Sequence, residues 1–200
     1  NEMKKLIAFF EIPATDFRKY SYLDPDRSTY AYQSVRGNAW LDEQPDYMSL
    51  KFRPVGGDYN TYSVGAAADI PVMRVEEMYL IEAEAVGASQ NVAAGVQLLN
   101  NFMKQYRQSN YNFSTGDLRN FQLEVLKQMR IEFWGEGIAF PTAKRLETDV
   151  IQNYEGTNFI EDIFKINCKG VKTNWTLMIP KTEVDSNTAV QGMNNPDPSG

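Results

Sequence analysis

The sequence predicts a mainly α fold: helical hairpins that carry a loop-rich, aromatic-rich layer and short strands. Three observations predict it. Residues 72–152 show apolar residues at helical spacing, interrupted only by short breaks. Residues 1–71 are instead rich in turn chemistry, as in Asp24-Pro25-Asp26, Gln44-Pro45-Asp46 and Gly56-Gly57-Asp58. The link between the first two helices is only a few residues long, which forces an antiparallel hairpin.

The elements follow in order. Between the turns, Tyr47 to Arg53 alternates Tyr47, Ser49, Lys51 and Arg53 against Met48, Leu50 and Phe52, as a short strand does. The first helix, about 72–87, is apolar nearly all round: Val75, Met78, Tyr79, Leu80, Ile81, Ala83 and Val86. Such a helix is expected to be buried, with Gly87 as its stop. The second starts at Asn91, a good N-cap, with a stripe of Val92, Val96, Leu99, Phe102, Met103 and Tyr106. The third follows Ser114-Thr115-Gly116-Asp117, which has capping-box spacing. It buries Leu118, Phe121, Val125, Met129 and Phe133, and breaks at Gly135 and Gly137. A fourth, about 138–152, carries Pro141 in its first turn, where proline is tolerated. Two such hairpins in series are tetratricopeptide-like in architecture, although that repeat's tryptophan and proline consensus is missing. From residue 153 the chain reads as irregular, ending in a loosely tethered Asn194–Gly200. The organisation expected is one structural domain: a loop-rich variable region over 1–71, a helical-hairpin scaffold over 72–152, and an irregular segment over 153–200.

Composition excludes several kinds of chemistry. The 200 residues are 42% hydrophobic and 23% charged, enough for a core. A net charge of −6 argues against a nucleic-acid-binding surface. There is no histidine, so Cys-His and Ser-His-Asp devices and His-based zinc sites are excluded. The single Cys168 excludes an internal disulfide and is read as a small apolar filler. No metal or cofactor is expected. No apolar run is long enough to cross a bilayer. The chain begins Asn1-Glu2-Met3-Lys4-Lys5, which reads as the interior of a longer protein.

Several segments, in order, resemble the SusD/RagB-like family of outer-membrane nutrient-binding lipoproteins. They are Asp16-Phe17-Arg18-Lys19; Pro71-Val72-Met73-Arg74-Val75-Glu76-Glu77-Met78-Tyr79-Leu80-Ile81-Glu82-Ala83-Glu84-Ala85; Leu98-Leu99-Asn100-Asn101; Arg130-Ile131-Glu132-Phe133-Trp134-Gly135-Glu136-Gly137 with Lys144-Arg145-Leu146; and Leu177-Met178-Ile179-Pro180-Lys181-Thr182-Glu183-Val184-Asp185. The match is to the family's C-terminal portion. Where the family usually has an arginine and an aspartate one turn apart, this chain has Ala139 and Thr142, so an ion pair is lost as a unit. The resemblance implies a non-enzymatic glycan-binding protein on the outward face of the outer membrane. It would be held by a lipid anchor outside this chain and would capture oligosaccharide or polysaccharide for a TonB-dependent transporter.

Candidate residues divide into two groups. Ten of the twenty-five aromatic residues fall between positions 17 and 62: Phe17, Tyr20, Tyr22, Tyr30, Tyr32, Trp40, Tyr47, Phe52, Tyr59 and Tyr62. Rings beside polar side chains suit a sugar, whose apolar face stacks while its hydroxyls are hydrogen-bonded. Any one ring taken singly reads more readily as packing a loop onto the helices, whereas the cluster as a whole reads as a ligand surface. Trp40, flanked by Arg36, Asn38 and Asp42, is the leading candidate, joined by Tyr30, Tyr32 and Tyr47. Trp134 and Trp175 read as core. The second group is structural: Glu84, Arg130, Glu132 and Glu136. Glu82 and Glu84 lie on a nearly apolar helix, and a buried carboxylate there needs a partner such as Arg130 or Arg74. Glu132 and Glu136, one turn apart, could do acid–base work on a glycosidic bond, but this spacing is ordinary at a helix end. Two alternatives stand beside glycan capture: a helical-repeat protein-interaction scaffold, and a two-carboxylate glycoside hydrolase.

Overall fold

The computed structural model describes residues 11–24, 48–49, 51–52, 71–154, 165, 167–170 and 177–194. The elements in chain order are α1 (Arg18–Tyr22), β1 (Leu23–Asp24), β2 (Met48–Ser49), α2 (Val75–Ser89), α3 (Val92–Tyr106), α4 (Leu118–Glu132), α5 (Ala139–Arg145), β3 (Val150–Ile151), β4 (Asn167–Cys168) and α6 (Lys181–Ser186), followed by a 3-10 turn at Thr188–Val190. The chain is therefore mainly α. It divides into two compact units, at Gly137 and Ile138.

The first unit is built on three helices. Asn91 caps α3 by accepting from the Ala94 amide at 2.8 Å, and Asp117 caps α4 by accepting from the Asn120 amide at 2.7 Å. Thr115 holds that cap, its hydroxyl accepting from the Asp117 amide at 3.1 Å. The cap itself is thus the last residue of the Ser114–Asp117 signal. Cross-helix neighbours set the directions. Tyr79 stacks on Phe102, and Ala83 lies against Gly95, so α2 and α3 run antiparallel. Gly87 meets Phe121 while Arg74 reaches Glu132, so α2 and α4 also run antiparallel. The core between them contains Leu80, Ala83, Leu99, Met103, Phe121, Val125 and Met129, all 2% exposed or less.

Three expectations about α2 need correction. It starts at Val75, and Val72 and Met73 precede it as exposed residues. It continues through Gly87 to Ser89, because that glycine is a contact surface: a methyl group there would overlap the Phe121 ring. Gly95 on α3 is hemmed in by backbone as well as by the ring, its absent Cβ lying 2.6 Å from the Ala83 carbonyl oxygen and 2.7 Å from Phe121 Cε1. Phe121 fills the slot that the two glycines leave. Finally, α2 is not buried all round. Val75, Met78, Tyr79 and Ile81 are exposed, because α3 and α4 cover one side of it.

Of the expected strand over 47–53, Met48 and Ser49 form β2, which pairs antiparallel with β1 in the register Leu23↔Ser49 and Asp24↔Met48, while Lys51 and Phe52 bend away from strand geometry and residues 47, 50 and 53 lie outside the described residues. In α4 the last helical residue is Glu132, and Gly135 and Gly137 follow with φ of 79° and 81°, a left-handed backbone that glycine adopts without strain.

In the second unit α5 spans seven residues rather than the expected fifteen or so. Thr148, Asp149, Val150 and Ile151 are poor helix formers, and Glu147 turns the backbone with φ 48°. Val150 and Ile151 then pair antiparallel with Cys168 and Asn167. The expected irregularity beyond residue 153 is also broken by α6, which opens at Pro180. Asn194, read from sequence as part of a loose end, clamps the Ile179 backbone: its oxygen accepts from the amide at 2.8 Å and its amide donates to the carbonyl at 3.1 Å. Residues 195–200 lie outside the described residues.

Candidate functional site

The chemistry of the first unit gathers on Glu132. It is the last residue of α4, it has no exposed surface, and it faces the ends of α1, α2 and α3. Arg107, just past α3, grips it with two bonds: Nε to Oε2 at 2.7 Å and Nη2 to Oε1 at 2.9 Å. Arg74, at the N-cap of α2, donates to Oε1 at 3.0 Å, and Arg18, the first residue of α1, to Oε2 at 3.3 Å. The Tyr22 hydroxyl donates to Oε1 at 3.0 Å. The Glu132 carbonyl accepts from Lys51 Nζ at 2.7 Å and from Arg74 Nη2 at 2.8 Å.

Each surrounding cation has a second carboxylate. Arg18 is chelated by Asp16, with Nη2 to Oδ2 at 2.6 Å and Nε to Oδ1 at 3.0 Å, and that aspartate also accepts from the Arg18 amide at the start of α1. Arg74 holds Glu136 by two bonds, at 2.9 and 3.0 Å. Arg107 reaches Glu76 at 3.0 Å, and Lys51 pairs with Glu136. Among the described residues the network therefore balances Arg18, Lys51, Arg74 and Arg107 against Asp16, Glu76, Glu132 and Glu136. Aromatic faces line the cations: Arg107 lies 5.2 Å from the Phe17 and Phe102 centroids, Arg74 4.8 Å from Phe133, and Lys51 4.9 Å from Tyr22.

This setting fixes the protonation states. Burial alone would raise the Glu132 pKa, but the Arg107 bonds, the Arg107 and Arg18 charges and the Arg74 bond outweigh it and hold the carboxyl at about 2. The Tyr22 hydroxyl is pushed up, first by burial and then by the Glu132 charge. Lys51 is pulled down, mainly by burial.

The sequence-predicted residues divide as follows. Glu132 and Glu136 share Arg74. Glu84 is buried on α2, away from that cluster, and accepts from Gln122 Nε2 of α4 at 3.2 Å, while Glu82 is exposed. Arg74, proposed as a partner of Glu84, is committed instead to Glu76, Glu132 and Glu136. Arg130 lies on the exposed side of α4. Trp134 is half-buried and rests on Phe52, with ring centroids 5.8 Å apart. Tyr30, Tyr32, Arg36, Asn38, Trp40, Asp42, Tyr47 and Trp175 lie outside the described residues.

Sequence reasoning missed Arg107, Lys51, Tyr22 and Gln128 as members of one cluster. A signal for the last was present: Glu124, Gln128 and Glu132 form an i, i+4 polar row on α4 beside the buried Phe121, Val125 and Met129. Arg107 gave none, since a lone cation after a helix is usually there to complement the dipole.

Among the described residues no group of His, Cys, Asp and Glu could hold a metal ion, and no helix is long and apolar enough to cross a membrane. No curated protein and no solved structure matches the chain. The SusD family does: its sequence model matches residues 16–197, from the Asp16-Arg18 pair through the Glu132 cluster to beyond α6, and the chain belongs to the SusD family.

Proposed function

We propose that this chain is a non-enzymatic glycan-binding subunit of an outer-membrane oligosaccharide uptake system, capturing glycan for a TonB-dependent transporter. The observation that carries the proposal is the family match over residues 16–197. The SusD family is a nutrient-binding, outer-membrane-associated family. Attachment through a lipid anchor and an outward-facing position are part of the same proposal.

The chemistry of Glu132 supports binding over hydrolysis. A glycosidase needs a carboxylic acid whose pKa is raised so that it can protonate the leaving oxygen. Glu132 is held ionised at about 2, and both oxygens are occupied by guanidinium groups. Glu136 is chelated by Arg74 in the same cluster. This pair is a lock between elements, not an acid–base couple. The interaction-scaffold alternative is favoured by one observation, the exposed apolar side of α2.

The ligand surface we propose is the aromatic segment around Trp40, with Arg36, Asn38, Asp42, Tyr30, Tyr32 and Tyr47. A glycan array on the purified protein tests capture, and calorimetry with the best array glycan tests the residue. Trp40→Ala should weaken binding by about 2 kcal/mol, roughly thirtyfold in Kd, if the ring is a hot spot. The melting temperature should stay unchanged. A blank array favours the scaffold; equal affinities remove Trp40 from the surface.

A further inference from the structure

On the side of α4 that carries Glu124, Lys127 and Gln128, the described residues line an open, solvent-facing cavity of about 370 Å³. The turn at 11–13 and the loop 108–113 form its other walls. Its volume falls in the lower part of the range for small-ligand sites, roughly 300–1,000 Å³.

The walls are ordered from within. Tyr111 is 8% exposed, and its hydroxyl donates to Glu124 Oε1 at 2.7 Å. Gln128 donates to the same oxygen at 2.7 Å and accepts from Arg18 at 2.7 Å, which ties the cavity floor to the Glu132 cluster. Asn110 Oδ1 accepts from Thr15 at 3.0 Å and from Gln108 at 2.9 Å. These bonds leave polar capacity unused on residues that line the space. Among the described residues, the Asn110 amide N–H groups, the whole Asn112 side chain, the Lys127 ammonium and Glu124 Oε2 have no hydrogen bond or ion pair. Pro13, Phe113 and Ile131 supply apolar surface beside them.

Donors and acceptors with unused capacity thus line the same cavity as apolar residues. A hydroxyl is both donor and acceptor, and a ring of them flanks an apolar C–H face. Glu11 and Glu124 against Lys127 give no excess of positive charge, so an anion has no reason to prefer the site. Resting on the glycan-capture reading, we propose that this cavity is a saccharide subsite for one neutral sugar residue. It is built from residues other than those of the aromatic segment around Trp40.

The test is a titration of the ¹⁵N-labelled chain with glucose, galactose, mannose and N-acetylglucosamine, with glucuronate as the charged control. At least one neutral sugar should shift the side-chain amides of Gln108, Asn110 and Asn112. The double substitution Asn112→Ala with Lys127→Ala should weaken that sugar tenfold or more while leaving the melting temperature in place, because neither side chain has a structural bond. Shifts confined to other residues, no shift with any neutral sugar, unchanged affinity in the double variant, or tighter binding of glucuronate would each overturn the assignment. The array decides glycan capture and the titration decides the cavity, so the two proposals fail separately.

Discussion

Glu132 keeps a full negative charge in a place with no exposed surface, because three guanidinium groups and a phenol converge on its two oxygens. Such a cluster is weak evidence for net stability, but removing one member strands the rest. Glu132→Gln keeps the shape and deletes the charge, leaving four cations facing three carboxylates among the described residues. The expected cost is about 3 kcal/mol or more, read as a lower urea midpoint; an unchanged midpoint would show that the cations relax to water without loss. The same carboxyl predicts a pH dependence. Its folded pKa, about 2, lies below the ordinary 4.5, so the native state binds fewer protons than the unfolded chain. The stability it contributes is complete above about pH 5 and is lost as pH falls through 2, roughly 3 kcal/mol in all. Urea melts between pH 6 and pH 2 should show this slope in the wild type and a shallower one in Glu132→Gln. Parallel slopes would place the titration on another group.

At the scale of elements, the close approach of α2, α3 and α4 rests on what Gly87 and Gly95 lack. Gly95→Ala places a methyl group against the Ala83 carbonyl, the Gly87 Cα and the Phe121 ring at once, and two of these are backbone atoms that cannot swing aside. The usual gain in helix propensity from Gly to Ala, about 1 kcal/mol, should therefore be reversed into a net loss of about 1–3 kcal/mol. Gly116→Ala is the control, since nothing lies within 4 Å of its added methyl. A stabilised Gly95→Ala would mean that the helices separate freely. These glycines show where sequence reading stopped. Local signals placed the α3 and α4 starts, because Asn91 and Asp117 act on their own helices. Gly87 read as a helix stop because its partner, Phe121, is 34 positions away and no local pattern announces it. The overlong fourth helix has a local cause: its apolar residues continued past Arg145, and the weak helix propensity of Thr148-Asp149-Val150-Ile151 was outvoted.

For the molecule as a whole, the motifs named the members of the Glu132 cluster better than their partners. Asp16, Arg18, Arg74, Glu132 and Glu136 all stand in segments that mark the family, yet their bonds span up to 114 positions, and periodicity carries no information at that range. The outer face of α2 makes the converse point. Sequence alone made α2 apolar on every side and therefore buried, but burial is decided by what covers a face, and Val75, Met78 and Ile81 remain 64%, 43% and 44% exposed. A contiguous exposed apolar strip on a chain of net charge −6 should bind hydrophobic dyes and promote association as concentration rises. The double substitution Met78→Lys with Ile81→Lys tests this directly. Both side chains project outward, so stability should stay within about 0.5 kcal/mol of wild type. Dye fluorescence should fall, and sedimentation velocity should show less concentration dependence. A stability loss of about 2 kcal/mol or more would instead mean that the lysines are forced into an apolar contact, since burying an unpaired charge is costly; this strip would then be an inner surface of the chain.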